Sequence, residues 1–221
     1  MDDKITCVNC RSDRRIPVFL IDNPLRRLFW PPKKLVEKYV QSGQVVADLG
    51  CGSGFYALPI AWRVGDHGKV YAIDFDRKAI RALEKKAEKH GLTNIVNPRV
   101  SSAAEVGFIP SGSVDFVLAH GLLCCMVDHA GAVKEIKRIL KPSGQAYTSI
   151  SKVIRRKDPR AVHTEEWEEV LKGFRVLRRG ESLTQRWALV SLDQAHKSEN
   201  EQTYSDEGRF SAIAVSQSEG A

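Results

Sequence analysis

The residues with the most chemical content lie in one short stretch, Asp48-Leu49-Gly50-Cys51-Gly52-Ser53-Gly54. Glycines at alternate positions let a backbone turn sharply and approach a ligand with no Cβ in the way. Further on, the run Tyr71-Ala72-Ile73 ends in Asp74. A carboxylate at the end of a strand can accept hydrogen bonds from both hydroxyls of a ribose. A nucleoside-containing ligand fits both features. A dinucleotide loop would read Gly-x-Gly-x-x-Gly, with pyrophosphate on the helix that follows. Counting from Gly50, its last glycine would be residue 55, which is Phe55. The spacing here is Gly-x-Gly-x-Gly, led by an acid.

A second group of reactive side chains follows an apolar run, in Ala119-His120-Gly121-Leu122-Leu123-Cys124-Cys125. His120 is the candidate general base, since an imidazole titrates near neutrality; a polar group at a pocket rim is the other reading. Cys124 and Cys125 read as small apolar-like residues before acceptors or metalloid ligands. Cys51 fits the glycine loop as a small side chain. Cys7 and Cys10 form a Cys-x-x-Cys pair, yet no second such pair or His pair is spaced to complete a zinc site, so no metal is expected. Phe29, Trp30 and Tyr56 would give an apolar acceptor site, with Cys124 beside them.

The elements that must position these groups alternate in type. Residues 44–49 make a strand-length apolar run before the glycine loop, and residues 55–64 read as a helix. Strands are expected at 69–73, 95–100, 113–119 and 145–150, with two further strand-like segments at 174–177 and 187–192. Helices are expected from Arg77 to His90, capped by Asp76, and from Gly131 to Leu140, with Asp128 as a cap. Lys141-Pro142-Ser143-Gly144 is read as the stop after that helix, and Thr164 as the cap of a helix running to Leu171. Between 19 and 39, apolar residues at helical spacing are broken by Pro31-Pro32, which suggests two short helices. Strands alternating with helices predict an α/β fold, a mostly parallel seven-stranded sheet with helices on both faces.

The organisation that follows is an N-terminal extension and helical lid (1–43), a ligand-binding domain (44–194) and a flexible tail (195–221), whose composition is polar with little periodicity. The net charge of +7 is carried by scattered short basic clusters and no aromatic-interleaved stripe. Nucleic acid is therefore permitted as a partner and not favoured. No run is long and apolar enough for a membrane span, and the acidic first residues do not suit a secretory signal. Five cysteines, an odd number, do not suggest a disulfide framework. A cytoplasmic protein is expected.

The acid-led loop from Asp48 to Gly54 resembles the first motif of the class I, Rossmann-like, S-adenosylmethionine-dependent methyltransferases, whose ligand has no phosphate. Over residues 44–192 three more motifs resemble the family in the same order. These are Tyr71-Ala72-Ile73-Asp74, Ser113-Val114-Asp115-Phe116-Val117, and Glu135-Ile136-Lys137-Arg138-Ile139-Leu140-Lys141-Pro142-Ser143-Gly144. The resemblance implies a three-layer sandwich, S-adenosylmethionine as donor and S-adenosylhomocysteine as product. It implies donor contacts at Asp48, Gly50, Cys51, Gly52, Gly54, Asp74, Phe75 and Ala119, with Asp74 on the ribose and Phe75 near adenine. Asp48 either orders the loop or positions the methionine amine. Where relatives carry an Asp for the adenine amino group this chain has Ser102, so Ser102, Ala103 and Glu105 are the candidates there. The last motif resembles that of many small-molecule methyltransferases, and with the resemblance to quinone, sterol and arsenite methyltransferases this makes a small-molecule acceptor the leading reading. An RNA or protein methyltransferase, and a non-catalytic donor-binding protein, are the alternatives. The acceptor itself is not named by the sequence.

Overall fold

A computed structural model of the chain describes residues 13–17, 28, 31–152, 158 and 160–193. The elements in order are α1 (Pro32–Tyr39), β1 (Val45–Leu49), α2 (Ala57–Val64), β2 (Lys69–Asp74), α3 (Arg77–Lys89), β3 (Val96–Val100) and β4 (Val114–His120). A 3₁₀ turn, Leu123–Cys125, follows, then α4 (His129–Ile139), β5 (Leu140–Ser151), α5 (Thr164–Leu171), β6 (Phe174–Glu181) and β7 (Gln185–Leu192).

The seven strands form one sheet in the order β3-β2-β1-β4-β5-β7-β6. Strands β1 to β5 run parallel, while β7 is antiparallel to both β5 and β6. The chain leaves β1 towards β2 and β3, and later crosses back to lay β4 on the other side of β1. This reversal opens a crevice at the carboxyl ends of β1 and β4, where open α/β sheets bind ligands.

Period-two alternation divides the apolar side chains between two cores. Ala47, Leu49 and Val117 pack with Ile136, Ile139 and Trp167 under α4 and α5. Val46, Phe116 and Leu118 pack with Ile60, Ile80 and Leu83 under α2 and α3. Both faces of the central strands are covered, which is why β1 and β4 read as nearly unbroken apolar runs.

The helix starts follow from local chemistry, with one correction. Asp76 accepts the Lys78 amide at 2.9 Å and Asp128 accepts that of Gly131 at 2.9 Å, as N-caps do. Thr164 is not a cap. His163 stands at that position without a side-chain cap bond, and Thr164 is the first helical residue, its hydroxyl taken by Arg186 at 2.8 Å. A second correction concerns 141–144. Strand β5 begins at once at Leu140, paired with Val114, and pairing resumes only at Phe116 with Gln145. Lys141-Pro142-Ser143-Gly144 is thus a bulge inside the strand, where a proline with no amide to donate is tolerated. The edge hairpin is longer than expected, because exposed charged residues of Arg178–Glu181 continue β6 where an apolar signal stops.

Of the two short helices expected between 19 and 39, the second is α1; the first lies outside the described residues apart from Leu28. The tail expected beyond 194 and the Cys7/Cys10 pair also lie outside them. Among the described residues, no helix is long and apolar enough to cross a membrane.

One ion pair fixes the segment that joins β3 to β4. Arg138 on α4 donates to both carboxylate oxygens of Glu135, at 2.9 and 2.8 Å. It also donates to the carbonyls of Val106 and Ile109, at 3.0 and 2.8 Å. Glu135 in turn accepts the Val106 amide. A connection with no regular structure of its own is thereby held by a guanidinium fork whose donors are nearly all used.

Candidate donor and acceptor cavity

A cavity of about 390 Å³ occupies the crevice at the sheet reversal. Its size lies within the range of small-molecule sites. The glycine loop forms its base, and backbone bonds to β2 set the loop's position. The amides of Gly50 and Cys51 donate to the Ile73 carbonyl at 2.8 and 2.9 Å. The Gly52 amide donates to Asp74 Oδ2 at 2.8 Å, and the Asp76 amide to Asp74 Oδ1 at 2.8 Å. Gly52 has φ +54° and Gly54 φ +90°, a region that side chains with a Cβ rarely adopt.

Asp74 is half-buried and lines the cavity. Burial pushes its carboxyl above the usual carboxylate range, and the Asp76 and Gly52 amides act against that shift. Each oxygen takes one amide and keeps a second acceptor site.

Asp48 sits behind the loop, 2% exposed, and does not line the cavity. One of its oxygens, Oδ2, has no hydrogen-bond partner among the described residues. Burial first, and then the charge of Asp74, push its carboxyl up to about 8, against the opposing amide of Ala57. Between the unfolded value of 3.8 and about 8 the folded chain holds a proton that the unfolded chain has lost. Stability therefore falls as pH rises through that window. Asp48→Asn, which cannot ionise, should gain stability relative to the parent by up to about 1.4 kcal/mol for each pH unit across it. Thermal melts of both proteins at pH 5 and pH 8 check this; an unchanged difference would mean that Asp48 is ionised in the fold.

Of the residues expected from sequence, Gly50, Cys51, Tyr56, Asp74, Phe75, Ser102, Ala103, His120 and Cys124 line this one cavity. Gly52 and Gly54 shape its loop without lining it. Ala119 is buried in β4 one residue before the wall. Glu105 is exposed and takes part through its backbone, its carbonyl accepting Ser101 Oγ at 2.7 Å. Ser102 is buried and its hydroxyl accepts the Ala104 amide at 3.2 Å, tightening the turn after β3. Phe29 and Trp30, expected at the acceptor end, lie outside the described residues.

His120 ends β4 and belongs to a line of rings. Its centroid is 5.0 Å from that of Tyr56 and 6.1 Å from that of Tyr147, which stacks on Trp187 at 5.8 Å. Burial, with Tyr56 and Tyr39 nearby, raises the Tyr147 hydroxyl well above its ordinary range. It is therefore a neutral donor at any physiological pH.

Sequence reasoning missed the strap of residues 13–16, all four of which line the cavity. Asp13 Oδ1 accepts the Val127 amide at 2.9 Å, and the Arg14 amide donates to the Cys125 carbonyl at 2.7 Å. The Arg14 guanidinium pairs with Asp158, which Arg160 also holds, at 2.7 Å. The Arg15 guanidinium lies 5.8 Å over the Phe75 ring. No periodicity marks such a segment in sequence. Also missed were Ser101, Ser151 and Gln185. The last two pair across β5 and β7 at the carboxyl end of β5, so a search of strand ends would have found Ser151.

Residues 47–148 match the family model described as a methyltransferase domain. That stretch is a little under half of the chain. It carries the glycine loop, Asp74, the Ser102 turn and the Cys124/Cys125 wall. Demethylmenaquinone methyltransferase of Geobacillus stearothermophilus is 31% identical over 119 residues, which are 54% of this chain and 50% of that protein. Aklanonic acid methyltransferase of Streptomyces sp. (strain C5) is 36% identical over 109 residues, 49% of each chain. The chain thus spans about half the length of these relatives. The chain also matches the crystal structure of a SAM dependent methyltransferase from Aquifex aeolicus. The TM-score is 0.69 at 26% identity, over 80% of this chain and 97% of that one. The fold is the Rossmann-like methyltransferase fold, with the seven-stranded, mostly parallel sheet expected from sequence.

Proposed function

We propose that this chain transfers a methyl group from S-adenosylmethionine to a small-molecule acceptor. The observation that carries the reading is Asp74. Its carboxylate ends β2 against the glycine loop and faces a cavity sized for a small ligand. The residues present fit the donor. Asp74 keeps an acceptor site on each oxygen for the two ribose hydroxyls. Phe75 and Ala103 supply apolar wall for adenine, with the Ser102 turn beside it. Gly50 and Cys51 bring backbone, not side chain, to the donor's amino-acid end. Asp48 acts from behind, ordering the loop rather than touching the donor.

When bound, S-adenosylmethionine supplies an electrophilic methyl on a sulfonium. The chain's own task is to hold the acceptor in line with that methyl and to keep water away, and such positioning accounts for much of the acceleration in displacement reactions. Tyr56, His120 and Cys124 form the acceptor wall. A ring nitrogen of His120 takes the proton of an acceptor hydroxyl; an acceptor that is already anionic does not need it. The strap Asp13–Ile16 supplies part of the cavity wall. The chain is read as one catalytic domain, 44–194, with residues from the N-terminal extension completing its site. The relatives methylate small molecules by name, and this supports the same acceptor class here.

Transfer of labelled methyl from S-adenosylmethionine into a cell extract, separated into small-molecule, RNA and protein fractions, tests the reading. Label in the small-molecule or lipid fraction is expected. Label in RNA or protein alone would overturn the acceptor class, and none in any fraction, with donor binding intact, would overturn methyl transfer.

A further inference from the structure

We propose that Lys86, on α3, is a positioning residue for S-adenosylmethionine: it clamps the far end of the glycine loop, so that the loop is held from two sides. The inference rests on the methyl-donor reading given above. Residues 50–52 are fastened to β2, through their bonds to the Ile73 carbonyl and to Asp74. Residues 53 and 54 lie beyond those bonds. There the Lys86 ammonium donates to the Ser53 carbonyl at 2.9 Å and to the Ser53 hydroxyl at 3.2 Å. Ser53 is fully buried and does not line the cavity, so its hydroxyl serves the inside of the fold and not a ligand.

The sequence of α3 is arranged for this contact. Leu83 and Lys86 stand three residues apart and so share one face of the helix. Leu83 is buried where Gly54 passes, and a Cβ on Gly54 would stand 2.6 Å from Leu83 Cδ1. Lys86 is half-buried, whereas Lys85 and Lys89 are exposed. A lysine with a covered stem and an ammonium on two oxygens of one buried residue is bound in a defined place, unlike a solvated surface lysine. The need for such a tie follows from the loop's composition. Glycine has the most conformational freedom to lose, so a loop with glycines at 50, 52 and 54 samples many backbone states if only one side is fastened. The charge-assisted bonds of Lys86 narrow those states before a ligand arrives, and less ordering is left to be done on binding. The Gly54 amide then closes on the Cys51 carbonyl at 3.0 Å, and Phe55 and Tyr56 follow on the cavity wall. The clamp therefore acts on the base of the cavity and on the start of its wall.

Three variants of the full chain test the clamp. Lys86→Met keeps a stem of similar length and removes the ammonium, Lys86→Arg restores hydrogen-bonding cations, and Lys85→Met removes the same charge from the exposed side of the helix. Each is measured by residue-resolved amide hydrogen exchange, which needs no ligand, and by titration calorimetry with S-adenosylhomocysteine. In Lys86→Met the amides of Gly52, Ser53 and Gly54 should exchange about fivefold faster, while those of β4 and β5 keep the parental rates. Affinity should fall about five- to tenfold, as expected for losing a charge-assisted bond from a group that is partly exposed. Lys86→Arg should recover part of both, and Lys85→Met should match the parent. Unchanged loop exchange in Lys86→Met overturns the clamp. Faster exchange with parental affinity leaves Lys86 a structural tie and overturns its role towards S-adenosylmethionine. A parent protein that binds no S-adenosylhomocysteine overturns the methyl-donor reading and this role with it, an outcome set apart from the others by the parent's own titration.

Discussion

Replacing Asp74 by alanine should weaken S-adenosylmethionine binding tenfold or more. Charge-assisted hydrogen bonds are worth about 1.5–3 kcal/mol each, and a ribose offers two hydroxyls to this one carboxylate. Part of the loss is indirect. The Gly52 amide, 2.8 Å from Oδ2, and the Asp76 amide, 2.8 Å from Oδ1, lose their acceptor, and the loop loses one of its ties to β2. Asp74→Asn separates the two contributions. It retains one acceptor oxygen, so it should keep the loop better than alanine does while binding the donor poorly. Titration calorimetry reads both affinities; an alanine variant that binds like the parent would remove the ribose from this end of β2.

Gly52→Val should abolish donor binding altogether. With φ at +54°, Gly52 occupies a conformation that a β-branched residue reaches only under strain. Its amide is also the one aimed at Asp74. Valine at this point either forces the loop off the cavity floor or lifts the amide away from the carboxylate, and both outcomes remove the donor site. The fold itself depends on β1 and its neighbours, so melting should remain cooperative while calorimetry shows no heat of binding. Normal affinity in this variant would mean that the donor does not use the loop.

The sheet was legible in sequence because its central strands are covered on both faces and therefore read as apolar runs, as in Val45–Leu49 and Val114–Ala119. The glycine loop and Asp74 were legible because their spacing has few other uses. What stayed hidden lacks any periodic signal. Arg178–Glu181 continues an edge strand with charged residues, and the bulge at 141–144 uses the residues that usually end a helix. Thr164 has a cap's chemistry, yet its hydroxyl is spent on Arg186, a partner remote in sequence. The strap Asp13–Ile16 is held by Val127, Cys125 and Asp158, pairings that no local pattern encodes. Candidate site residues carried on strand ends were found, and those delivered by long-range contacts were not.

The strap also dictates an order of assembly. Its fastenings to Val127 and to Asp158 close loops of 114 and 144 residues. Such closures carry a large entropic cost and come late in folding. During synthesis the N-terminal residues emerge first, but their partners leave the ribosome only after most of the sheet has been made. The part of the cavity wall that the strap supplies is therefore added among the last steps. A nascent chain stalled before Asp158 would carry the glycine loop and Asp74 while the Arg14 guanidinium waits for its carboxylate.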